Sequence, residues 1–377
     1  MKPAMKHGFA SKYTSFFWFY SKLCILLLFL AYAVILFWVR LKGFSSDDPL
    51  PAVQAVTIEQ RKEFREFASL VRTGLYVKNF STFNMSKNIF VVDATLWFEF
   101  YGSQIGLDVI NRFSINNATI RSKSPPDVKV VNDKLVATYQ LVFELQSDLK
   151  FHAYPLTDHS LSIVVLNNFV TPSEMYFDDD DSAHSFNVSD NLFNSSWGVN
   201  SIKVQAALLR EKLDRRDTNK IVDIPAVVYT INFEKRSFKE LLILFLPLFA
   251  AGFFSWLSLL MNLSNEVGRF SLAITAVTAI LGYRFVIEQV SPQVGYFTVL
   301  DKFYLFLLSF CFLMFVFQLI LTAYWYVLSK RVEAEGDAQD RAAVQEVHGR
   351  VLKKSMDVVF VVSSFLMYGS TLYFLFY

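Results

Sequence analysis

EVGRFSLAITAVTAILGYRFVIEQ, residues Glu266 to Gln289, decides the architecture. It is long enough to cross a hydrocarbon core of about 30 Å, yet one of its faces is not oily. At about 100° per residue, Ser271, Thr275, Thr278, Gly282, Phe285 and Gln289 fall on one narrow stripe. The rest of the surface is Leu272, Ala273, Ile274, Val277, Ile280, Leu281 and similar groups. Lipid offers a hydroxyl no partner, so the stripe must meet another helix or water. One helix cannot enclose water, but a ring of copies can. Two readings stand at this point: the stripe lines an ion pathway in a symmetric oligomer, or its small and hydroxyl residues pack helices closely.

Composition agrees with a bilayer. Of 377 residues 53% are apolar, and 40 are Phe, too many for an ordinary soluble domain. A net charge of +2 suggests no nucleic-acid partner. Both cysteines, Cys24 and Cys311, lie in hydrophobic segments, so a disulfide within the polar part of the chain is excluded. No repeat of about 20–50 residues is visible, which argues against a solenoid.

Working outward, the chain opens on a basic, aromatic stretch with Lys2, Lys6, Lys12 and Lys22, followed by the apolar run Leu23 to Val39. That run is long for a signal peptide and no small-x-small cleavage site follows it, so residues 1–40 are expected to be a cytoplasmic terminus and a retained membrane helix. Residues 41–238 are polar and strand-like. Ile89 to Phe100 is rich in β-branched and aromatic residues. Lys129 to Leu145 reads as two strands joined at Asn132-Asp133, and Leu161 to Leu166 and Ala226 to Phe233 read as two more. Short strands with turn signals between them predict a β-sandwich. Helical periodicity appears at Glu59 to Arg72.

Four further apolar segments follow: Glu240 to Met261, Gly268 to Glu288, Phe297 to Leu328 and Val358 to Tyr377. Residues 239–328 are expected to hold membrane helices with the pore helix at 267–289, 329–357 a charged cytoplasmic connection, and 358–377 the last span. Lys330, Arg331, Arg341, Arg350, Lys353 and Lys354 crowd that connection, whereas Lys and Arg are absent from Gln289 to Leu300. The positive-inside rule then puts the connection in the cytoplasm, the β-domain outside and the amino terminus inside. The expected class is an α+β membrane protein: an extracytoplasmic β-sandwich, a four-helix transmembrane bundle and an extra amino-terminal transmembrane helix.

This order resembles that of the pentameric ligand-gated ion channels, the Cys-loop receptors and their prokaryotic relatives. RTGLYVKNFSTFNMSKNIFVVDATLWFEF looks like the family's first two strands. FHAYPLTDHSLSIVV (Phe151 to Val165) looks like its signature loop, with Tyr154-Pro155 in the aromatic-proline place. VVYTINFEKRSFKELLILFLP looks like the last strand running into the first channel helix, with Pro247 at the mid-helix proline. GYRFVIEQVSPQVGYFTVLDKF looks like the end of the pore helix, a linker with Pro292, and the start of the third helix with Asp301. The bracketing loop cysteines are missing, as in prokaryotic members, and the loop carboxylate stands at Asp158, with Thr157 in its usual place.

The resemblance selects the same face of the same helix as the stripe does. It implies Ser271 and Thr275 at the cytoplasmic half, Thr278 at mid-helix and Phe285 as a hydrophobic constriction, unless Phe285 packs on a neighbouring helix. Glu266 is a candidate carboxylate ring that selects cations, with Arg269 able to oppose it. Arg284 and Glu288 are spaced for an ion pair. Tyr154, Pro155, Asp158 and Pro292 are coupling candidates. Ligand-binding candidates are Trp97, Phe169 and Trp197, whose aromatic rings suit a cation.

The acids Asp178, Asp179, Asp180 and Asp181 read either as a divalent-cation site or as a solvated loop. His152, His159 and His184 are pH-sensing candidates if buried beside charge. Asn79, Asn84, Asn117, Asn187 and Asn194 begin N-x-Ser/Thr triplets. No phosphate loop, H-E-x-x-H or G-x-S-x-G occurs, so no enzyme and no cofactor is expected. The expected partners are four further copies of the chain, permeating ions, the lipid bilayer, and a small ligand, proton or divalent cation. A non-conducting membrane sensor or adhesion receptor on the same fold is the rival reading.

Overall fold

The computed structural model describes residues 20–25, 27–29, 31–36, 39–40, 44–49, 51–178, 185–189, 197–212, 221–236, 238–262, 265–334 and 338–376. The chain forms two compact units. One comprises residues 44–151 and 157–237, the other residues 1–43, 152–156 and 238–377.

The first unit is a β-sandwich. Its smaller sheet has the order β1 (Val53–Ala55), β11 (Trp197–Lys212), β12 (Ile221–Lys235), β8 (His159–Leu166), β4 (Ser114–Ile115). The larger has the order β10 (Phe186–Val188), β2 (Ser69–Asn84), β3 (Ile89–Phe100), β7 (Lys134–Gln146), β5 (Ala118–Lys123). In addition β6 (Asp127–Val131) pairs with β7, and β9 (Met175–Asp178) pairs with β2 in parallel.

Alternation decides which face is core. In β3, Phe90, Val92, Ala94, Leu96, Phe98 and Phe100 are buried, while Asp93, Thr95, Trp97 and Glu99 face the other way. The two sheets meet through aromatic rings. Phe233 on β12 lies 5.3 Å from Phe83 on β2, and Phe186 lies 5.2 Å from Tyr229. The Tyr229 hydroxyl donates to Thr73 Oγ1 at 3.1 Å, so the buried phenol keeps a partner. Asn132 (φ 51°) and Asp133 (φ 64°) both take the left-handed conformation, which joins β6 to β7 by the two-residue turn expected of them.

The periodic segment at residues 59–72 is helical only as far as α2 (Ile58–Phe67). A capping box starts it, with Thr57 and Gln60 exchanging hydrogen bonds of 3.3 and 3.1 Å. Leu70 to Arg72, which continue the helical period in sequence, instead pair with Tyr176 to Asp178 of β9.

The second unit is helical. Four of its helices are long and apolar enough to cross a membrane, and the chain is a multi-pass membrane protein on that ground. We label them α3 (Phe238–Leu260), α4 (Glu266–Val290), α5 (Val299–Ala334) and α6 (Ala338–Phe376). The charged segment expected between the last two spans is therefore mostly helix, shared between the end of α5 and the start of α6. The amino-terminal apolar helix α1 (Tyr20–Leu36) has 17 residues, short of the roughly 20 that a span needs. It is nevertheless anchored. Phe29 contacts Phe249, Trp256 and Tyr368 at 5.0–5.9 Å, Tyr368 donates to the Ile25 carbonyl at 3.1 Å, and Lys22 pairs with Asp357.

Candidate ion pathway

Helix α4 has two faces of different chemistry. Asn265 caps its start, accepting from Gly268 N at 3.1 Å. The buried face carries Arg269, Ala273, Ala276, Ile280 and Ile287, and its alanines let neighbouring helices approach closely. Ser271, Thr275, Thr278, Gly282, Phe285 and Gln289 are all exposed. Phe285 is 70% exposed, and nothing lies within 4 Å of a Cβ placed on Gly282. Within one chain, then, the stripe is left exposed. Only 22% of the apolar window of α4 is buried, against 56% for α3, so α4 is the less partnered of the two. Ile274, Leu281 and Val286 flank the stripe and are exposed as well. The Thr275 hydroxyl donates to the Ser271 carbonyl at 2.8 Å, so it presents its lone pairs outward.

Arg269 points the other way and is fully buried. Its Nη1 donates to Gln318 Oε1 at 3.3 Å, and Gln318 Nε2 donates to Ser258 Oγ at 3.1 Å. The chain Arg269–Gln318–Ser258 ties α4 to α5 and α3. Glu266 is half-buried in the first turn, five residues from Ser271 and so about 140° out of phase with the stripe. Near the other end, Arg284 pairs with Glu288 at 2.9 Å, as its spacing predicts, and also with Asp301 at 3.1 Å. Asp301 in turn caps α5 by accepting from Thr298 N at 3.1 Å and Thr298 Oγ1 at 2.7 Å.

Residues 152–156 interrupt the β-unit in sequence but belong to the helical unit. The Tyr154 hydroxyl donates to the Val290 carbonyl at 2.9 Å, at the end of α4. The His152 and Tyr154 carbonyls accept from Val299 N and Leu300 N at 2.9 and 3.2 Å, at the start of α5. The His152 ring stacks on Tyr296 at 4.1 Å. The Tyr154-Pro155 peptide is cis. Burial, assisted by Glu240 and Tyr283, pushes the Tyr154 phenol up to about 12, so it stays a donor at physiological pH. This short segment therefore grips both ends of the linker that contains Pro292, whose carbonyl accepts from Val294 N at 3.0 Å.

Asp158 lies in the β-unit. Its oxygens accept from Ser45 N at 2.8 Å and Lys235 N at 2.9 Å, tying the end of β12 to residues 44–49. Beside it is a pair that sequence reasoning missed. Asp48 and His159 are almost fully buried, with His159 Nδ1 3.0 Å from Asp48 Oδ2. Asp48 also accepts from Lys150 N at 2.7 Å, Ser160 N at 2.8 Å and Ser46 Oγ at 2.9 Å. Burial pushes this carboxyl up. The His159 contact and the backbone donors outweigh it and hold the group below its ordinary range. Of the histidines singled out in the sequence, His159 is thus buried beside charge, and His184 lies outside the described residues.

The aromatic ligand candidates occupy three elements. Trp97, half-buried, lies over Gly74 of the neighbouring strand. Phe169 is 62% exposed, with the Arg112 guanidinium 4.9 Å from its ring. Trp197 begins β11, 5.6 Å from the His159 ring and 5.7 Å from Lys235 Nζ. Asp178 is buried at the end of β9 and pairs with Arg65 at 3.4 Å, while residues 179–181 lie outside the described residues. Among the described residues no three His, Cys, Asp or Glu side chains are grouped to hold a metal ion. No known protein family matches the sequence, and no curated protein matches it.

Proposed function

We propose that the chain is a subunit of a homopentameric ligand-gated ion channel, with the Ser271 to Gln289 stripe of α4 lining the pathway. The observation that carries this reading is the stripe itself. Six residues at helical spacing are all exposed on a membrane helix whose middle turns are apolar off the stripe, with exposed Ile274, Leu281 and Val286 beside them to pack against neighbouring copies. Cations are the permeant ions in this reading. No stripe residue is basic; Arg269 is buried against Gln318, and Arg284 is paired with Glu288 and Asp301. Glu266 would add negative charge from the flank of the inner mouth. A small ligand, proton or divalent cation at the β-unit favours one arrangement over another, by no more than its differential affinity for the two. Tyr154, with Pro155 and the Pro292 linker, passes the change to the end of α4.

Native mass in detergent tests the ring directly. Five copies support the pathway. A monomer or dimer would sink it and favour the non-conducting sensor or adhesion receptor. Cysteine scanning in planar bilayers then tests the face. A membrane-impermeant thiol reagent should block current through Thr275→Cys and Thr278→Cys, and should spare Ala276→Cys, in a Cys24→Ser, Cys311→Ala background.

A further inference from the structure

We propose that the cleft where the ends of α3, α5 and α6 meet α1 binds the headgroup of an anionic phospholipid. The inference uses only the membrane insertion of the helical unit and holds whether or not the chain conducts.

The cleft has a volume of about 470 Å³ and is lined chiefly by Lys22, Leu260, Asn262, Trp325, Arg350 and Lys353. Its place in the helices is a boundary. Leu260 ends α3, Trp325 stands just before the charged end of α5, and the apolar run of α6 begins at Val358. Such a change from apolar to charged residues marks the level of lipid headgroups, where Trp is also favoured.

The charges around the cleft do not cancel. Lys22 pairs with Asp357 and also lies over the Phe360 ring at 5.4 Å. Arg350 pairs with Glu346 at 3.3 Å, but both are well exposed, so a phosphate can compete for the guanidinium. Lys353 is exposed and has no carboxylate partner among the described residues. Among the described lining residues two carboxylates thus face three cations, leaving one net positive charge. The remaining wall, with Leu259, Leu260, Met261 and Trp325, is apolar. A free phosphate would use the cations and leave this wall wet. A phospholipid satisfies both halves, with its phosphate at Lys353 and Arg350 and its glycerol and first methylenes against Trp325 and Leu260.

The test is lipid titration of the purified full chain in detergent, read by native mass spectrometry, with phosphatidylglycerol and phosphatidylcholine as probes. The unmodified chain should retain phosphatidylglycerol in preference. Lys353→Gln should weaken that binding by about fivefold, the worth of one cation near an anionic surface, and Lys353→Glu should weaken it further. Phosphatidylcholine binding should not change. Lys353 is exposed, so an unshifted melting temperature will show that the variants are folded. Lys330→Gln removes a cation that is not on the cleft wall and should have no effect. Equal losses from Lys330→Gln and Lys353→Gln would overturn the site in favour of a diffuse basic belt. So would unchanged phosphatidylglycerol binding in a Lys353→Gln, Arg350→Gln double variant. Inorganic phosphate displacing the lipid at equal affinity would overturn the lipid as its occupant.

Discussion

The Tyr283 hydroxyl of α4 donates to the carbonyl of Ile243 at 2.9 Å, and Ile243 stands four residues before Pro247 in α3. A proline has no N–H, so the helical bond that this carbonyl would accept is missing. In a membrane no water replaces it. Tyr283, which also reaches the Leu244 carbonyl at 3.0 Å, fills that place from the neighbouring helix. Tyr283→Phe should destabilise the helical unit by about 1–2 kcal/mol, read as a lower melting temperature in detergent. Pro247→Ala restores the missing N–H, so the cost of Tyr283→Phe should shrink in the double variant. Strict additivity of the two substitutions would show that the bond has no such role.

Asp48→Asn should cost about 1–3 kcal/mol at neutral pH, because it replaces a buried carboxylate that accepts from the Lys150 and Ser160 backbone and contacts His159 Nδ1. The carboxyl is held below its ordinary value in the folded chain. Its contribution is therefore complete above the unfolded value and is lost as pH falls through the folded one. Melting temperatures of the two proteins should differ at pH 7 and converge in acid. A gap that persists at the acid end would contradict the assignment.

The Trp97 ring lies where a side chain on Gly74 would be: a Cβ at Gly74 would come within 2.3 Å of its indole. Gly74→Ala should therefore push the ring off the strand, cost about 1–3 kcal/mol and shift the tryptophan emission. Once Trp97→Ala has cleared the space, Gly74→Ala should cost almost nothing.

Thr278→Leu enlarges a side chain that is exposed in the single chain. Stability should stay within about 0.5 kcal/mol. Currents in planar bilayers should change in kinetics if, as proposed, the same side chain faces the pathway in a ring of copies. A change in melting temperature with unaltered currents would support the non-conducting alternative.

Local chemistry was legible where neighbours in sequence decide the structure. The alternation in Ile89 to Phe100, the left-handed pair Asn132-Asp133 and the apolar lengths of α3 to α6 each announce their element. The polar stripe of α4 was legible because helical phase depends only on spacing. What failed depends on distant partners. Leu70 to Arg72 continue a helical period, yet β9, about 100 residues on, draws them into a sheet. Asp178 reads as the first of an acid run, either a divalent-cation site or a solvated loop, but in the structure it is buried at the end of β9 and paired with Arg65. Asp48 carries no local signal at all: its histidine partner lies 111 residues away.

Helix α6 runs unbroken for 39 residues, with the charged turns of Arg350 to Asp357 and the apolar turns from Val358 on one rod about 58 Å long. A rod of this kind carries torsion. Inserting one residue at the junction would rotate Lys353 and Asp357 by about 100° against Phe360 and Ser363, which contact α1 and Trp256. Seven inserted residues would nearly restore the phase while lengthening the rod. The angular setting of this helix, more than its sequence at any one position, decides whether the basic cleft and the helix packing can exist together.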